Sequence, residues 1–505
     1  MVKRFIQLVL LLILFSILFV SYLSIYGIST DKFNNLITQK ISERNQNLDI
    51  KLNKIKIFIN INNLNFELKT NNPKVFFKNK EIKIKSISTD FKLKSFFSKK
   101  INLEEIKIST DRNRIQNLIE VARIYKNNPQ LFILSKTVKD GFVSIDSKIS
   151  FNDDGSIKKN FLVDGKIENL KIKLLNDNII ENINLNFLLK DKNYLIYNFS
   201  SIYQSIKIKS NQIKIFDNTK DFTFQGDISN IKNQLDPSIF LFLTDDSFKN
   251  IFKENITISS SNKFSFKLSK KMKISDAKVL SKILIEKFEY SNDIFKRFFP
   301  GYKKNLKIEN NNITLDYNNG DYKITGKSKL NINGDIDDIR YEFNKIKNEF
   351  LYDLNFEIVN SAVNFKILNY TKKKEDKGSL KIKGKYLPSS FLDLQTVKFT
   401  QDKNLIDVQN IKFNKNKKIR SIDEVNLNIF NNNDNLSKLN IKRKNNDYSV
   451  SGEIFDGTKL VDEILFSKND DIFFELFDNL NTNISVLIDN AYLNKIDFLT
   501  ALDTN

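Results

Sequence analysis

The sequence predicts a mainly β protein, in which an N-terminal transmembrane helix precedes a long, curled antiparallel sheet with a few short helices. Three observations support this fold class. Residues 5–28 form one uncharged apolar stretch, apolar and polar residues then alternate over most of the chain, and helical spacing interrupts the alternation at only a few points. A period of two is typical of antiparallel strands with one apolar and one wet face.

The apolar stretch 5–28 is expected to span a membrane. A helix of about 24 residues is roughly 36 Å long, which exceeds the ~30 Å hydrocarbon core of a bilayer. Lys3 and Arg4 precede it, so the tip 1–4 is expected in the cytoplasm and the rest of the chain beyond the membrane. A cleaved signal peptide is the alternative, but the apolar run is long for one and residues 26–30 form a poor cleavage site. The expected anchor residues are Phe5, Leu10, Leu14, Phe19 and Leu23.

Four further segments follow the anchor. Residues 29–46 are expected to form an amphipathic juxtamembrane helix, because Phe33, Leu36, Ile37 and Ile41 recur at helical spacing. Residues 47–235 form an N-terminal β module with a helical insertion near 112–127. Residues 236–300 mix helical and strand patterns, and residues 301–505 continue the repetitive β pattern. The last fifty residues are less regular, which suggests a fragment or a segment that relies on a partner.

Alternate residues of the predicted strands define a candidate apolar face. Strands near 82–85, 91–94, 106–108, 170–174 and 313–317 each place their apolar residues on one side. The 44 phenylalanines fit either a lipid-lined groove or an ordinary core enriched by A/T-rich codons. The candidate lipid-facing residues are Ile82, Ile84, Phe91, Leu93, Ile106, Ile108, Leu170, Ile172, Ile313 and Leu315.

The motif apolar-x-Gly-polar recurs within the strand patterns and accounts for six of the thirteen glycines. Glycine inside a strand usually marks a bulge or a bend. A sheet that bends at the same point in successive hairpins would curl into a trough. The candidate bend glycines are Gly165, Gly226, Gly326, Gly334, Gly384 and Gly452.

The composition removes several classes of chemistry. The chain has no Cys, His or Trp, so it offers no thiolate or imidazole zinc ligand and no Ser-His-Asp or Cys-His arrangement. Adjacent acids such as Glu104 and Glu105 point to opposite faces of a strand and do not converge. The net charge of +21 comes mainly from lysines spread through the strands, whereas phosphate recognition favours arginine. We therefore expect no enzyme, no cofactor, no metal and no nucleic-acid partner.

Two regions resemble a known family. The first contains Ile82-x-Ile84-x-x-Ile87, Phe91-x-Leu93-x-Ser95-Phe96-Phe97 and Ile101-x-Leu103-Glu104-Glu105-Ile106-x-Ile108. This strand-loop-strand pattern, placed after an anchor and a short helix, resembles the N-terminal module of the AsmA-like proteins of the bacterial envelope. The second is similar to the central part of the larger YhdP-type members, in Phe298-Phe299-Pro300-Gly301-Tyr302, Leu306-x-Ile308 and Ile313-x-Leu315-x-Tyr317.

The resemblance implies a single-pass inner-membrane protein whose bulk lies in the periplasm and whose sheet forms an elongated groove or taco-like rod. It implies phospholipids as ligands, carried toward the outer membrane as in the chorein-type lipid bridges, with a role in outer-membrane biogenesis and lipid homeostasis. An outer-membrane or periplasmic protein is the expected partner at the C-terminal end. The alternative is a non-enzymatic scaffold that assists assembly or targeting of outer-membrane proteins by strand pairing at an exposed edge.

Overall fold

The computed structural model describes residues 2–44, 46–61, 65–92, 103–126, 128–152, 156–158, 160–174, 178–235, 256–290, 295–303, 306–387, 392–414, 418–466, 482–494 and 497–504. The predicted fold class is confirmed. Strands make up 67% and helices 15%, and one large, mostly antiparallel sheet follows an N-terminal apolar helix. Leu93 and the helical pattern expected within 237–252 lie outside the described residues.

Few helices accompany the sheet. Helix α1 has 24 residues and is long and apolar enough to cross a membrane. It ends three residues earlier than the apolar stretch, because Gly27 adopts a positive φ of 62° and residues 28–30 pair as a strand. The described helices are α1 (Val2–Ile25), α2 (Asn34–Arg44), α3 (Ile115–Tyr125), α4 (Pro129–Thr137), α5 (Phe295–Phe298), α6 (Thr458–Phe466) and the 3-10 helix Lys366–Leu368.

The strands are numbered in chain order, and 29 of the 31 that are described belong to the large sheet. They are β1 (Ile28–Thr30), β2 (Leu48–Lys51), β3 (Ile55–Asn60), β4 (Asn65–Asn71), β5 (Lys74–Phe77), β6 (Lys80–Lys92), β7 (Leu103–Thr110), β8 (Asn113–Arg114), β9 (Val138–Ser150), β10 (Leu162–Lys173), β11 (Ile179–Lys190), β12 (Asn193–Tyr203), β13 (Ile206–Asp217), β14 (Asp221–Leu235), β15 (Ile256–Ser269), β16 (Ile274–Tyr290), β17 (Leu306–Asn318), β18 (Asp321–Ile332), β19 (Asp335–Ile346), β20 (Glu349–Ile358), β21 (Val363–Phe365), β22 (Tyr370–Lys372), β23 (Gly378–Tyr386), β24 (Leu392–Gln401), β25 (Asn404–Phe413), β26 (Ile419–Ser421), β27 (Glu424–Phe430), β28 (Leu436–Lys444), β29 (Asp447–Asp456), β30 (Ile484–Tyr492) and β31 (Phe498–Thr504).

The chain divides into two compact units, and the first comprises Met1–Ser229 and Ser265–Ser275. Its strands pair antiparallel in the series β1–β3–β4–β6–β7–β9–β10, and β10 to β13 continue in chain order. A small core forms where β2, β5 and β6 meet. Ile50, Val75 and Ile84 are buried there, and Ile41 of α2 packs against them.

The second unit comprises Asn230–Phe264 and Asp276–Asn505. From β16 to β20, and on through β23, β24, β25, β27, β28 and β29, successive strands pair antiparallel. An insertion, residues 359–377, separates β20 from β23 and contains β21, the 3-10 helix and β22. Among the described pairs only β29 and β30 are parallel. Helix α6 lies between them in the chain, as a parallel connection requires a crossover.

Two pairs of expected strands are in fact single long strands. The patterns at 82–85 and 91–94 both fall on β6 as far as Lys92, where this described range ends, and the apolar runs 161–163 and 170–174 largely coincide with β10. The pairing register shifts between Ile84 and Ser86 in β6 and between Ile167 and Leu170 in β10. Each bulge moves the apolar residues to the other parity, and the interruption in the alternation imitates a gap between strands.

The helical insertion contains two helices where the sequence analysis expects one. The pair Asn128-Pro129, which follows the helix expected near 112–127, begins a second helix, α4. The Asn128 side chain accepts a hydrogen bond from the Leu131 amide at 2.8 Å, and Pro129 occupies the first turn. Residues 276–288, ambiguous from the sequence, belong to β16.

Candidate functional site: the apolar face of the second unit

The strands of the second unit place their apolar residues on one face. Residues that pair directly across an antiparallel ladder lie on the same side of the sheet. Ile313 pairs with Gly326 and Leu315 with Ile324, and the ladder continues to β31 in the same way. We call this the apolar face; it includes Ile308, Ile313, Leu315, Ile324, Leu330, Ile339, Phe343, Leu354, Phe356, Leu380, Ile382, Val397, Phe399, Ile406, Val408, Val425, Leu427, Leu439, Ile441, Val450, Val486 and Ile488.

The opposite face is charged, and cross-strand ion pairs cover it. Lys329 and Asp338 are direct register partners whose charged atoms lie 2.8 Å apart. Lys323 lies 2.8 Å from Glu342, and hydrogen bonding from that ammonium keeps the pKa of Glu342 below its ordinary value. Such exposed pairs contribute little stability each. Their main effect here is to keep the charged face hydrated, in contrast to the apolar face.

Two small elements cover one end of the apolar face. Phe295 and Tyr302, from α5 and the segment after it, pack on Leu306, Leu330 and nearby residues. Tyr370 of the insertion packs in a cluster with Phe399, Leu427, Ile429 and Leu439. The Tyr370 hydroxyl donates to Gln401 at 2.7 Å, and burial raises the pKa of Tyr370 to about 12.

Away from these elements the apolar face is only half-buried. Ile313, Leu315, Ile324 and Leu354 are neither buried nor fully exposed, and Phe343 is 39% exposed. In the described ranges, the only strands outside the large sheet are the short β21 and β22. Within those ranges, therefore, no second large sheet packs on the apolar face.

Aromatic rings lie directly over three of the repeated glycines. Gly326 pairs with Tyr341, and a Cβ atom at Gly326 would collide with the Tyr341 ring. The Tyr341 hydroxyl then reaches the buried Asn311 side chain and donates to its Oδ1 at 2.8 Å. Burial raises the pKa of Tyr341, although this hydrogen bond opposes the rise. The same arrangement recurs where Phe187 covers Gly165 and Tyr352 covers Gly384.

These glycines provide space for large side chains on the neighbouring strands, and only some of them coincide with the predicted bulges. Gly165, Gly226, Gly326, Gly384 and Gly452 have no positive φ. Their large cross-strand neighbours are those described above and, for Gly226 and Gly452, Ile213 and Leu439. Register shifts do occur beside Gly226, Gly384 and Gly452.

Gly334 differs from the expectation, because it is not within a strand. It forms, with Asn333, the two-residue turn between β18 and β19, with φ values of 55° and 102°. Two positive φ values in succession are those of a type I′ hairpin turn, which favours Asn-Gly.

Asparagines occupy several of the register shifts in the sheet. Asn169, Asn182, Asn198 and Asn310 have φ between 49° and 52° and lie at register shifts of their strands. Asparagine tolerates the left-handed region better than other non-glycine residues. The recurrence of asparagine inside the strand patterns is the signal in the sequence that indicates these bends.

The buried ammonium group of Lys372 holds the insertion together. Lys372 is 0% exposed, and its ammonium donates to the carbonyls of Val359, Ser361 and Lys373 at 3.0, 2.8 and 2.9 Å. The Asp337 carboxylate accepts from the amides of the same turn, residues 359–361, at 2.7, 2.7 and 3.0 Å. Burial lowers the pKa of Lys372, although nearby carboxylates oppose this. Nothing in the run Lys372-Lys373-Lys374 distinguishes the buried lysine in the sequence.

The candidate residues of the first unit have mixed surroundings. Ile84 is buried and Ile82 and Ile108 pack in the core beneath α2, so these three lie in a closed part of the face. Phe91 and Ile106 share that face through the β6–β7 register and are half-buried. Leu170 and Ile172 pair with Ile183 and Ile180, so they share one face of β10 and β11.

The expected anchor residues lie on α1. Phe5, Leu10, Leu14 and Phe19 are exposed, as side chains that face lipid must be. Leu23 is 7% exposed, so it contacts the protein and is not a lipid-facing residue.

Within the described ranges, no group of three or more acidic residues is placed to hold a metal ion. No family model, no curated protein and no solved structure matches the chain, so the arguments on function rest on its own residues.

Proposed function

We propose that this protein binds phospholipid acyl chains on its apolar face and passes them along the sheet, from the inner membrane toward the outer membrane. The observation that supports this is a continuous apolar face that is half-buried and backed by a charged, ion-paired face. Acyl chains would contact Ile313, Leu315 and Ile324 while headgroups stay in water. Helix α1 would hold the chain in the inner membrane, with the N-terminus in the cytoplasm.

A charged pair placed across the apolar face tests the proposal. Leu315 and Ile324 are direct register partners, so Leu315→Asp with Ile324→Lys introduces an ion pair into the path. One strand spacing of ~4.8 Å corresponds to about four methylenes, at about 0.8 kcal/mol each, so lipid should bind roughly 200-fold more weakly there. The measurement is phospholipid bound per full-length protein, by mass spectrometry, and transfer between donor and acceptor vesicles.

The chain offers a matched control one residue away. Thr314 and Thr325 are also register partners, on the opposite face. Thr314→Asp with Thr325→Lys adds the same charges to the same strands and should leave lipid binding and transfer unchanged. Equal lipid binding and transfer in both double variants would refute the proposal.

A scaffold for outer-membrane proteins is a second candidate, and β31 is the observation in its favour. Among the described strands β31 pairs only with β30, and Phe498 and Leu499 are exposed. An edge of this kind can accept a strand from another protein. Site-specific crosslinking from Leu499 that captures an outer-membrane protein would support this role, and capture of lipid alone would contradict it.

A further inference from the structure

A cavity of about 520 Å³ lies in the first unit, between the end of α1 and strands β3 and β4. Ser24 of α1 and Phe58, Asn60, Glu67 and Lys69 of β3 and β4 contribute to its lining. Phe58 pairs directly with Glu67, and alternation along β4 then places Lys69 on the same face. These three side chains therefore lie on the face of the first unit opposite to that of Phe91, which pairs with Phe66.

Two like-charged pairs lie side by side here, and one member of each, Lys69 and Glu67, lines the cavity. Lys56 pairs directly with Lys69 across β3 and β4, and Glu67 pairs directly with Asp90 across β4 and β6. Like charges that face each other across a ladder destabilise a sheet. Locally unfavourable pairs of this kind, which the rest of the sheet must stabilise, are expected at functional sites.

The next lysines on this face show what a neutralised pair looks like. Lys107 and Lys148 are also direct partners, but Glu105 lies 3.2 and 2.7 Å from their ammonium groups. Lys107 also lies 3.2 Å from Asp90. Within the described part of the chain, neither Lys56 nor Lys69 has a carboxylate within ion-pair distance. Lys69, with Lys56 beside it, thus gives the cavity a basic end without a bound carboxylate. Glu67, one residue pair further along the strands, gives it an acidic end.

The cavity lies at the depth where a spanning α1 would leave the hydrocarbon. The rings of Tyr22 and Tyr26 contact each other near the end of α1, tilted by 30° with centroids 5.4 Å apart, and aromatic residues of this kind favour the membrane–water interface. The Phe58 ring packs beside Gly27, immediately after the helix. Headgroups of the surrounding lipids would therefore be at the level of Lys69 and Glu67.

We propose that the cavity binds the headgroup of an amine-bearing zwitterionic phospholipid from the bilayer around α1. The phosphate is held by Lys69, which lines the cavity, and by its register partner Lys56 beside the cavity, and the ammonium group is held by Glu67. Adjacent same-face residues of a strand are about 6.8 Å apart, so the two poles can be met by one extended headgroup. The bound lipid fixes the first strands against the membrane surface. This inference rests on the membrane anchoring in the proposed function and not on lipid transfer.

A photocrosslinker inside the cavity tests the proposal. The full chain carries p-benzoyl-phenylalanine in place of Phe58 and is placed in nanodiscs of phosphatidylcholine with equal fractions of phosphatidylethanolamine and phosphatidylglycerol. Mass spectrometry identifies the lipid attached after illumination. We expect phosphatidylethanolamine adducts in excess. Lys56→Gln with Lys69→Gln should weaken capture of every phospholipid roughly 30-fold, from about 1 kcal/mol per lysine near the surface, and Glu67→Gln should remove the preference for ethanolamine.

Lys74→Gln with Lys83→Gln is the matched control. These lysines are also direct partners in the first unit, do not line the cavity, and should leave the adducts unchanged. Adducts that do not depend on Lys56, Lys69 and Glu67 would overturn the proposal. So would capture of soluble phosphoethanolamine in an uncharged detergent without capture of lipid in nanodiscs. The same photocrosslinker in place of Phe343 reports on the apolar face, so failure of lipid transfer is detected independently.

Discussion

Replacing Gly326 by alanine should loosen the sheet beneath the Tyr341 ring. The new Cβ atom collides with the ring, so Tyr341 must move and its 2.8 Å hydrogen bond to Asn311 is lost. Overpacking costs about 1–3 kcal/mol. Asn311 is only 4% exposed, so leaving its side chain unpaired costs a further 1–3 kcal/mol or so. The sum, about 2–6 kcal/mol, corresponds to a roughly 30- to 20,000-fold increase in local opening.

Hydrogen exchange of the β17, β18 and β19 amides in the full-length protein measures this effect. Thr325→Ala, on the opposite face of the same strand, is the control and should change exchange little. Tyr341→Ala combined with Gly326→Ala removes the collision, so the double variant should lose less protection than the sum of the single variants. Additive losses, or wild-type exchange in Gly326→Ala, would refute the view that this glycine makes room for the ring.

Two further predictions concern buried and paired charges. Lys372→Met leaves three carbonyls of the insertion without a donor and should lower the free energy of local opening of residues 359–377, measured by hydrogen exchange, by about 2–4 kcal/mol. Lys373→Met, at an exposed lysine, is the control. Greater protection in Lys372→Met than in wild type would contradict the role of the ammonium group. Burial opposes the shift, but hydrogen bonds from Lys148 and Lys107 hold the pKa of Glu105 below 4.5. The stabilisation is therefore complete above the ordinary glutamate pKa and lost as the pH falls through the lower folded value. Thermal unfolding should show Glu105→Gln less stable than wild type near pH 6, with the difference vanishing in acid; a difference that persists in acid contradicts this.

The sequence predicts the large features because they depend on periodicity. Alternation between Ile313, Leu315 and Tyr317 places these residues on one face whatever the neighbouring strands are. The apolar stretch at 5–28 likewise predicts α1 from length and charge alone. Features that depend on pairing were missed. Gly326 lies under Tyr341 only because β18 and β19 align in one register, and nothing local to Gly326 specifies that register.

The candidate site was predicted in part for the same reason. Ile313 and Leu315 lie on the half-buried apolar face, whereas Ile84 is closed off by α2, which alternation within β6 cannot reveal. The cavity beside α1 was missed altogether. Its charges come from Lys56, Glu67 and Lys69 on two strands, and each appears in the sequence as an ordinary exposed residue of an alternating pattern.

At several strand bulges asparagine supplies the left-handed backbone that glycine often provides, which bears on how the sequence can vary. Asn169, Asn182, Asn198 and Asn310 supply the left-handed backbone, while Gly165, Gly326 and Gly384 supply an empty space beneath a ring. A coding sequence rich in A and T can therefore lose glycine codons at its bends without losing the bends. It has no such freedom beneath the rings, where every alternative residue brings a side chain.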